Sequence, residues 1–172
     1  MDKKTNAIHE SYCNTRLVSY LVLHDKFGFG QKRIERLESA VDEYLDDFID
    51  GKYESDYFDT QLRKRGIYVR EIVAKIPARV RLRLAYGKNV PKRLGTEELS
   101  LISESLRTFF AITLVALIKV LHIPILQIKD EYLKWMQFNF ECLAEKNRLT
   151  IEDIVAVLAE ECGHVDRRYK VE

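Results

Sequence analysis

The stretch Phe27-Gly28-Phe29-Gly30, followed at once by Gln31-Lys32-Arg33, is the first place in this chain where residue types and spacing suggest chemistry. Hydrophobic-Gly-hydrophobic-Gly is the pattern of a helix-hairpin-helix, in which small residues let backbone amides at a helix N-terminus approach a phosphate. Lys32 and Arg33 would sit in the first turn, with cations ready for neighbouring phosphates. The helix that follows soon becomes strongly acidic and would repel the same backbone. A dinucleotide-type glycine loop needs another glycine three positions after the second, and Arg33 stands there. The stretch therefore reads first as a structural corner, with Phe27 and Phe29 packed inside and glycines relieving backbone strain.

Charge is the second signal. A net charge of +1 hides a strong separation along the chain. Arg63, Lys64, Arg65, Arg70, Lys75, Arg79, Arg81, Arg83, Lys88, Lys92 and Arg93 face the single acid Glu71 within one segment. Just upstream, Glu35, Glu38, Asp42, Glu43, Asp46, Asp47, Asp50, Glu54, Asp56 and Asp59 are offset only by Arg36 and Lys52. Such asymmetry is the usual footprint of a polyanion-binding or partner-binding surface. The alternative is that the two blocks face each other and neutralise one another, within the fold or across a dimer.

Other chemistry is sparse. Cys162-Gly163-His164, with Cys142 and His122 elsewhere, lacks the paired spacing of a zinc site. His9-Glu10 and His24-Asp25 are sequence neighbours, whose side chains do not face each other on a helix. The chain contains no HExxH, Walker or GxSxG motif. The expectation is a protein without catalytic residues, cofactor or metal. Three scattered cysteines, Cys13, Cys142 and Cys162, argue against a disulfide framework and for a reducing compartment. The polar N-terminus carries no secretory signal, and the longest uncharged stretch, from Thr108 to Ile118, is short for a membrane span. A soluble, cytoplasmic protein without membrane contact is expected.

The elements that must position these residues are mostly helices. With 47% apolar residues in 172, the chain can bury a sizeable core. Cys13, Leu17, Val18, Leu21 and Val22 recur as one face of a first helix, and Ile34, Leu37, Val41, Tyr44, Phe48 and Ile49 as the face of an acidic second one. Ser55 and Asp56 cap a short third helix that stops at Gly66. Between Ile67 and Gly95 the pattern changes. Val80-Arg81-Leu82-Arg83-Leu84 alternates with a period of two, which predicts a strand with Arg79, Arg81 and Arg83 on one face. Pro77, Gly87, Pro91 and Gly95 punctuate the region, so a short basic β-hairpin or irregular connector is expected. Thr96-Glu97-Glu98 opens the most apolar helix, which Pro124 should end. A fifth helix carries Leu133, Met136, Phe140 and Leu143, and Thr150-Ile151-Glu152-Asp153 opens a last helix closing at Gly163.

The second half echoes the first. A shift of 96 residues pairs Leu21 with Leu117, Leu37 with Leu133, Phe58 with Ile154 and Leu62 with Leu158, and sets Phe27-Gly28-Phe29 on Ile123-Pro124-Ile125. The fold expected is mainly α: two pseudo-repeated three-helix units, residues 1–66 and 96–172, packed as one helical domain around a basic connector at residues 67–95.

The run "VLHDKFGFGQKRIERL", the acidic helix after it and the short helix ending near "RKRGIYV" resemble small helical proteins of phages and prophages of Gram-positive bacteria, mostly without assigned function. The likeness covers residues 17 to about 69 and implies a mobile-element accessory protein, with no catalytic residues to carry over. The second unit lacks the glycines. Two functions remain in view. One is nucleic-acid binding through Arg63, Lys64, Arg65, Arg70, Arg79, Arg81, Arg83, Lys88, Lys92 and Arg93, aided by Lys32 and Arg33, with backbone contacts dominant because Tyr68 and Tyr86 are the segment's only aromatics. The other is an inhibitor or regulator of a host protein, in which Asp42, Asp46, Asp47 and Asp50 mimic nucleic acid. Homodimerisation is compatible with both.

Overall fold

Two helices are buried on nearly every side, and the rest of the chain is arranged around them. In the computed structural model, which describes residues 2–146 and 148–169, helix α1 spans Lys3–Phe27 and helix α6 spans Thr96–Lys119. Asp2 starts α1 by accepting the Thr5 amide at 2.7 Å. Its middle buries Leu17, Val18, Ser19, Tyr20, Leu21, Val22 and Leu23 in succession. α6 does the same from Phe109 to Leu117, interrupted only by the half-buried Ala111. A helix apolar all round belongs in a core, and these two pack on each other. By length and composition α6 could also cross a membrane, and 61% of its most apolar window is buried in the fold.

The remaining helices are α2 (Gln31–Ile49), α3 (Tyr57–Arg63), α4 (Val69–Ala74), α5 (Ala78–Tyr86), the single turn α7 (Ile125–Gln127), α8 (Leu133–Ala144) and α9 (Ile151–Cys162). A π-helical turn at Ile128–Tyr132 joins α7 to α8. The packing is crossed: α2 and α3 lie against α6, whereas the π turn, α8 and α9 lie against α1. Thr150 opens α9 with a reciprocal capping box to Asp153, and Gly163 closes it in the left-handed conformation.

No strand forms among the described residues, so the expected hairpin is corrected to two helices and a loop. Pro77, extended, starts α5, and Gly87 ends it. Val80 and Leu84, four apart and almost wholly buried, form its apolar stripe against α1. A five-residue alternation of arginine and aliphatic residues fits either period, and the core contact selects the helical one.

The two corners share a backbone solution. Gly28 adopts φ 66° and the Phe29 amide reaches back to the Leu23 carbonyl at 3.1 Å. His122 adopts φ 56° and the Ile123 amide reaches the Leu117 carbonyl at 2.9 Å. Extended Gly30 and Pro124 then launch the next helices. The left-handed residue of the second corner is thus His122, two residues before Pro124, the breaker that the sequence pattern sets against Gly28. Histidine tolerates the left-handed region better than most side chains, though less well than glycine.

Candidate functional site

The basic segment is where the structure departs most from a single binding patch. Arg79 and Arg83, one turn apart on α5, donate to the carbonyls of Ala144 (3.2 Å) and Leu143 (2.6 Å), the last of α8. Cations there complement the helix dipole and satisfy carbonyls that have no intrahelical partner. Arg81 points elsewhere, toward the Ser103 hydroxyl of α6 at 3.3 Å, with its Nε buried and unpartnered. The three arginines read as one strand face therefore do not share a face. Arg63 pairs with Asp59 at 2.6 Å, and Arg65 donates to the Gln61 carbonyl at 2.8 Å. These five arginines hold the fold's own groups.

Lys64, Arg70, Lys75, Lys88, Lys92 and Arg93 are exposed and have no acidic partner among the described residues. They do not form one surface either. Arg70 borders a cleft of about 250 Å³ with Asp56, Asp59 and Glu104. Lys88 borders one of about 590 Å³ with Val90, Leu143 and Tyr169, and Arg93 one of about 670 Å³ with Lys4, Glu10 and Glu98. The nearest approach to a cluster is the Lys88 cleft, which Arg79, Arg83 and Lys146 also line together with Glu145 and Glu152.

The acidic helix behaves differently. Glu35, Asp42, Glu43 and Asp46 are exposed on α2, and Asp50 is exposed at its C-terminal cap. Among the described residues only Asp47 of this row has an ion partner, Lys52 at 2.7 Å from the loop that follows. The Asp42 carboxyl is pushed above the usual carboxylate range by partial burial and by neighbouring Glu38 and Asp46, against the lowering effect of Arg16. Beside this row, Tyr53 stacks on Tyr57 with centroids 4.5 Å apart, and Tyr44 packs edge-on to Phe58. Arg36, Glu43, Tyr44, Asp47 and Tyr53 line a cleft of about 490 Å³, and Ile49 is 71% exposed at the end of the helix. Lys52–Asp47 lies within the acidic block and Arg63–Asp59 joins it to the basic one where the two meet, and both pairs are local in sequence. No ion pair joins acidic α2 to the basic segment among the described residues.

No protein family, curated protein or solved structure matches this chain.

The glycine corner is built inward. Phe29 is fully buried, and the amides of Gly28 and Phe29 are both directed to the Leu23 carbonyl rather than outward. Arg33 folds back, its guanidinium 3.9 Å from the Phe29 ring centroid and donating to the Phe27 carbonyl at 3.4 Å. Of the two expected phosphate ligands, both exposed, Lys32 is the one without a partner among the described residues. Two features had no signal in the sequence. Trp135 and Phe138 meet edge-on at 5.4 Å on α8, under Lys26 and Arg148, and His24 meets Glu161 of α9 at 2.8 Å. Both depend on partners distant in the chain. The three cysteines are free and buried, and burial pushes the Cys13 thiol up.

Proposed function

We propose that this protein is a protein-binding module that presents the carboxylates of α2 to a basic partner surface of the kind that otherwise holds a nucleic-acid backbone. The observation that carries this reading is the contrast in charge use: Glu35, Asp42, Glu43 and Asp46 of α2 are exposed and in no ion pair among the described residues, while Arg63, Arg65, Arg79, Arg81 and Arg83 of the basic segment bond the fold itself. Asp42, Asp46 and Asp50 recur at i, i+4 and i+8, so they rise at about 5–6 Å per turn along a rigid rod. An anionic ladder with tyrosines beside it offers both charge and flat apolar area to a partner. The setting implied is a mobile-element accessory protein acting on a host factor.

The test is capture of basic, nucleic-acid-binding proteins from a bacterial lysate, with and without excess duplex DNA. Captured proteins should be released by the DNA and lost with the triple reversal Asp42→Lys, Asp46→Lys, Asp50→Lys. An unchanged set in the reversed variant sinks the reading. A second reading, nucleic-acid binding, is favoured by the unpaired cations of the loop at Lys88, Lys92 and Arg93. Absence of salt-dependent DNA or RNA binding would remove it.

A duplicated origin belongs to the same proposal. Its support is the shared corner, the crossed packing, and the bond between Ser11 and Ser105 at 3.2 Å, whose positions lie 94 apart. That spacing also relates Gly28 to His122 and buried Ile34 to buried Ile128. A π turn is a one-residue insertion, and after it the spacing rises by one, relating Leu37 to Tyr132 and Val41 to Met136, all buried. Gly66, near Lys129 Nζ, and Gly163, near the Gln31 amide, are reciprocal contacts of the two halves.

A further inference from the structure

We propose that the cleft lined by α5, the loop after it and the turn between α8 and α9 is a binding site for a small aliphatic carboxylate, a medium-chain fatty acid in the first instance. The cleft holds about 590 Å³, and small-molecule sites run from about 300 to 1,000 Å³. No residue of α2 lines it, so the site stands independently of the carboxylate ladder on that helix.

The lining has an aliphatic part and a cationic part. Leu82, Leu149 and Ile151 pack on the core yet stay half-buried, and Val90 is 38% exposed. With Leu143 they leave a wall of branched side chains facing open space, and an occupant's hydrocarbon chain would take that surface out of water. Arg79, Arg83, Lys88 and Lys146 line the same space. Lys88 and Lys146 are exposed and in no ion pair among the described residues. Arg79 and Arg83 each donate through Nη1 to a carbonyl at the end of α8. Those bonds hold both guanidinium groups in place and leave most of their N–H donors for another acceptor.

Two carboxylates also line the cleft, Glu145 and Glu152, so four cations keep a surplus of two positive charges. Glu145 already accepts from Arg148 through both oxygens at 3.0 Å. Glu152 stands in the first turn of α9, where the positive end of the helix favours it. The surplus fits an anionic head, which would accept charge-assisted hydrogen bonds from ammonium and guanidinium donors. The wall is fixed in advance. Tyr169 donates its hydroxyl to Asn14 Oδ1 at 3.0 Å, and Asn14 Nδ2 donates to the Leu84 carbonyl at 2.9 Å, which ties the C-terminal segment, α1 and α5 together at the cleft. Tyr169 is the one aromatic ring in the lining among the described residues, so a flexible hydrocarbon chain suits the cleft better than a stacked nucleobase.

The experiment is calorimetric titration of the full chain with octanoate, with octanol and acetate as controls that lack the charge and the chain. Octanoate should bind at one site per chain, and each control should bind about tenfold more weakly or less. Two variants at exposed positions test the two parts of the lining. Lys88→Ser with Lys146→Ser removes the free cations, and Val90→Asp sets a carboxylate in the aliphatic wall. Both should remain folded by circular dichroism, and each should weaken octanoate binding by about tenfold. No octanoate heat above the acetate control overturns the proposal, as does octanol binding as tightly as octanoate. Full octanoate affinity retained in either variant overturns it as well, because the anion would then be held elsewhere. Failure here leaves the reading of α2 standing, since that test changes other residues.

Discussion

α2 and α5 each carry a dense charge of one sign and use it in opposite ways. On α5 the arginines reach across to other helices: Arg79 and Arg83 hold the last carbonyls of α8, and Arg81 approaches Ser103 on α6. On α2 the one carboxylate in an ion pair among the described residues is Asp47, with Lys52, while Arg16 attracts Asp42 from α1 without pairing with it. The difference follows from side-chain chemistry. Guanidinium has several donors on a long stem and finds carbonyls at a neighbouring helix end, whereas a carboxylate on an exposed helix finds only water and other carboxylates. Charge density alone therefore does not identify a binding surface. Freedom from internal partners is the further condition that the proposed reading uses, and by that measure α2 outranks the basic segment.

The largest test of this contrast is Arg83→Ala. Its half-buried guanidinium makes a charged hydrogen bond, and losing it should cost about 1.5–3 kcal/mol. For a chain of this size the melting point should fall by about 2–4 °C for each kcal/mol. Arg79→Ala should cost less, about 0.5–1 kcal/mol, because its bond is longer and exposed. If both variants melt with the parent protein, the arginines are not structural and the basic segment regains its claim as a binding surface.

The next effect is smaller and opposite in sign. Partial burial of the Asp42 carboxyl, with Glu38 and Asp46 one turn away, outweighs the attraction of Arg16, and like charges at that spacing cost about 0.2–0.5 kcal/mol per pair. Asp42→Asn should therefore stabilise the protein slightly at neutral pH while weakening any partner contact. The pH dependence has a definite sign. Asp42 has a folded pKa raised above its unfolded value, so its ionisation on raising the pH disfavours the folded state. The advantage of Asp42→Asn is thus present above the raised folded pKa and disappears as the pH falls through it and past the unfolded value. Denaturant melts of the two proteins across the acid range measure the gap, and a gap that widens in acid contradicts the crowding of α2.

Much of the helical frame is legible in the sequence. The glycines at 28, 66 and 163 and the capping box at Thr150 mark ends that the backbone keeps. α5 is less legible, because alternation over five residues does not separate a strand from a helix until α1 covers Val80 and Leu84. The second corner is displaced in the reading because proline is the conspicuous breaker. The left-handed residue is His122, which sequence pattern does not single out. The candidate sites are least legible of all. Arg83 meets Leu143 across 60 positions and His24 meets Glu161 across 137, and neither partner is implied by local spacing.

The smallest stability effect is expected where the basic segment is free. Lys88, Lys92 and Arg93 are exposed, and the loop they occupy joins α5 to α6 without any ion pair among the described residues. Replacing all three with serine should change stability by less than about 0.5 kcal/mol, since exposed side chains without partners contribute little. The same variant asks whether freedom from partners marks function at this loop as at α2. If the parent protein binds duplex DNA, the slope of log affinity against log salt should flatten by about 0.9 for each phosphate contact removed. A flattened slope would make this loop a DNA contact alongside the proposed face on α2. An unchanged slope would place any DNA contact outside this loop and leave α2 as the one face whose charge is both concentrated and free.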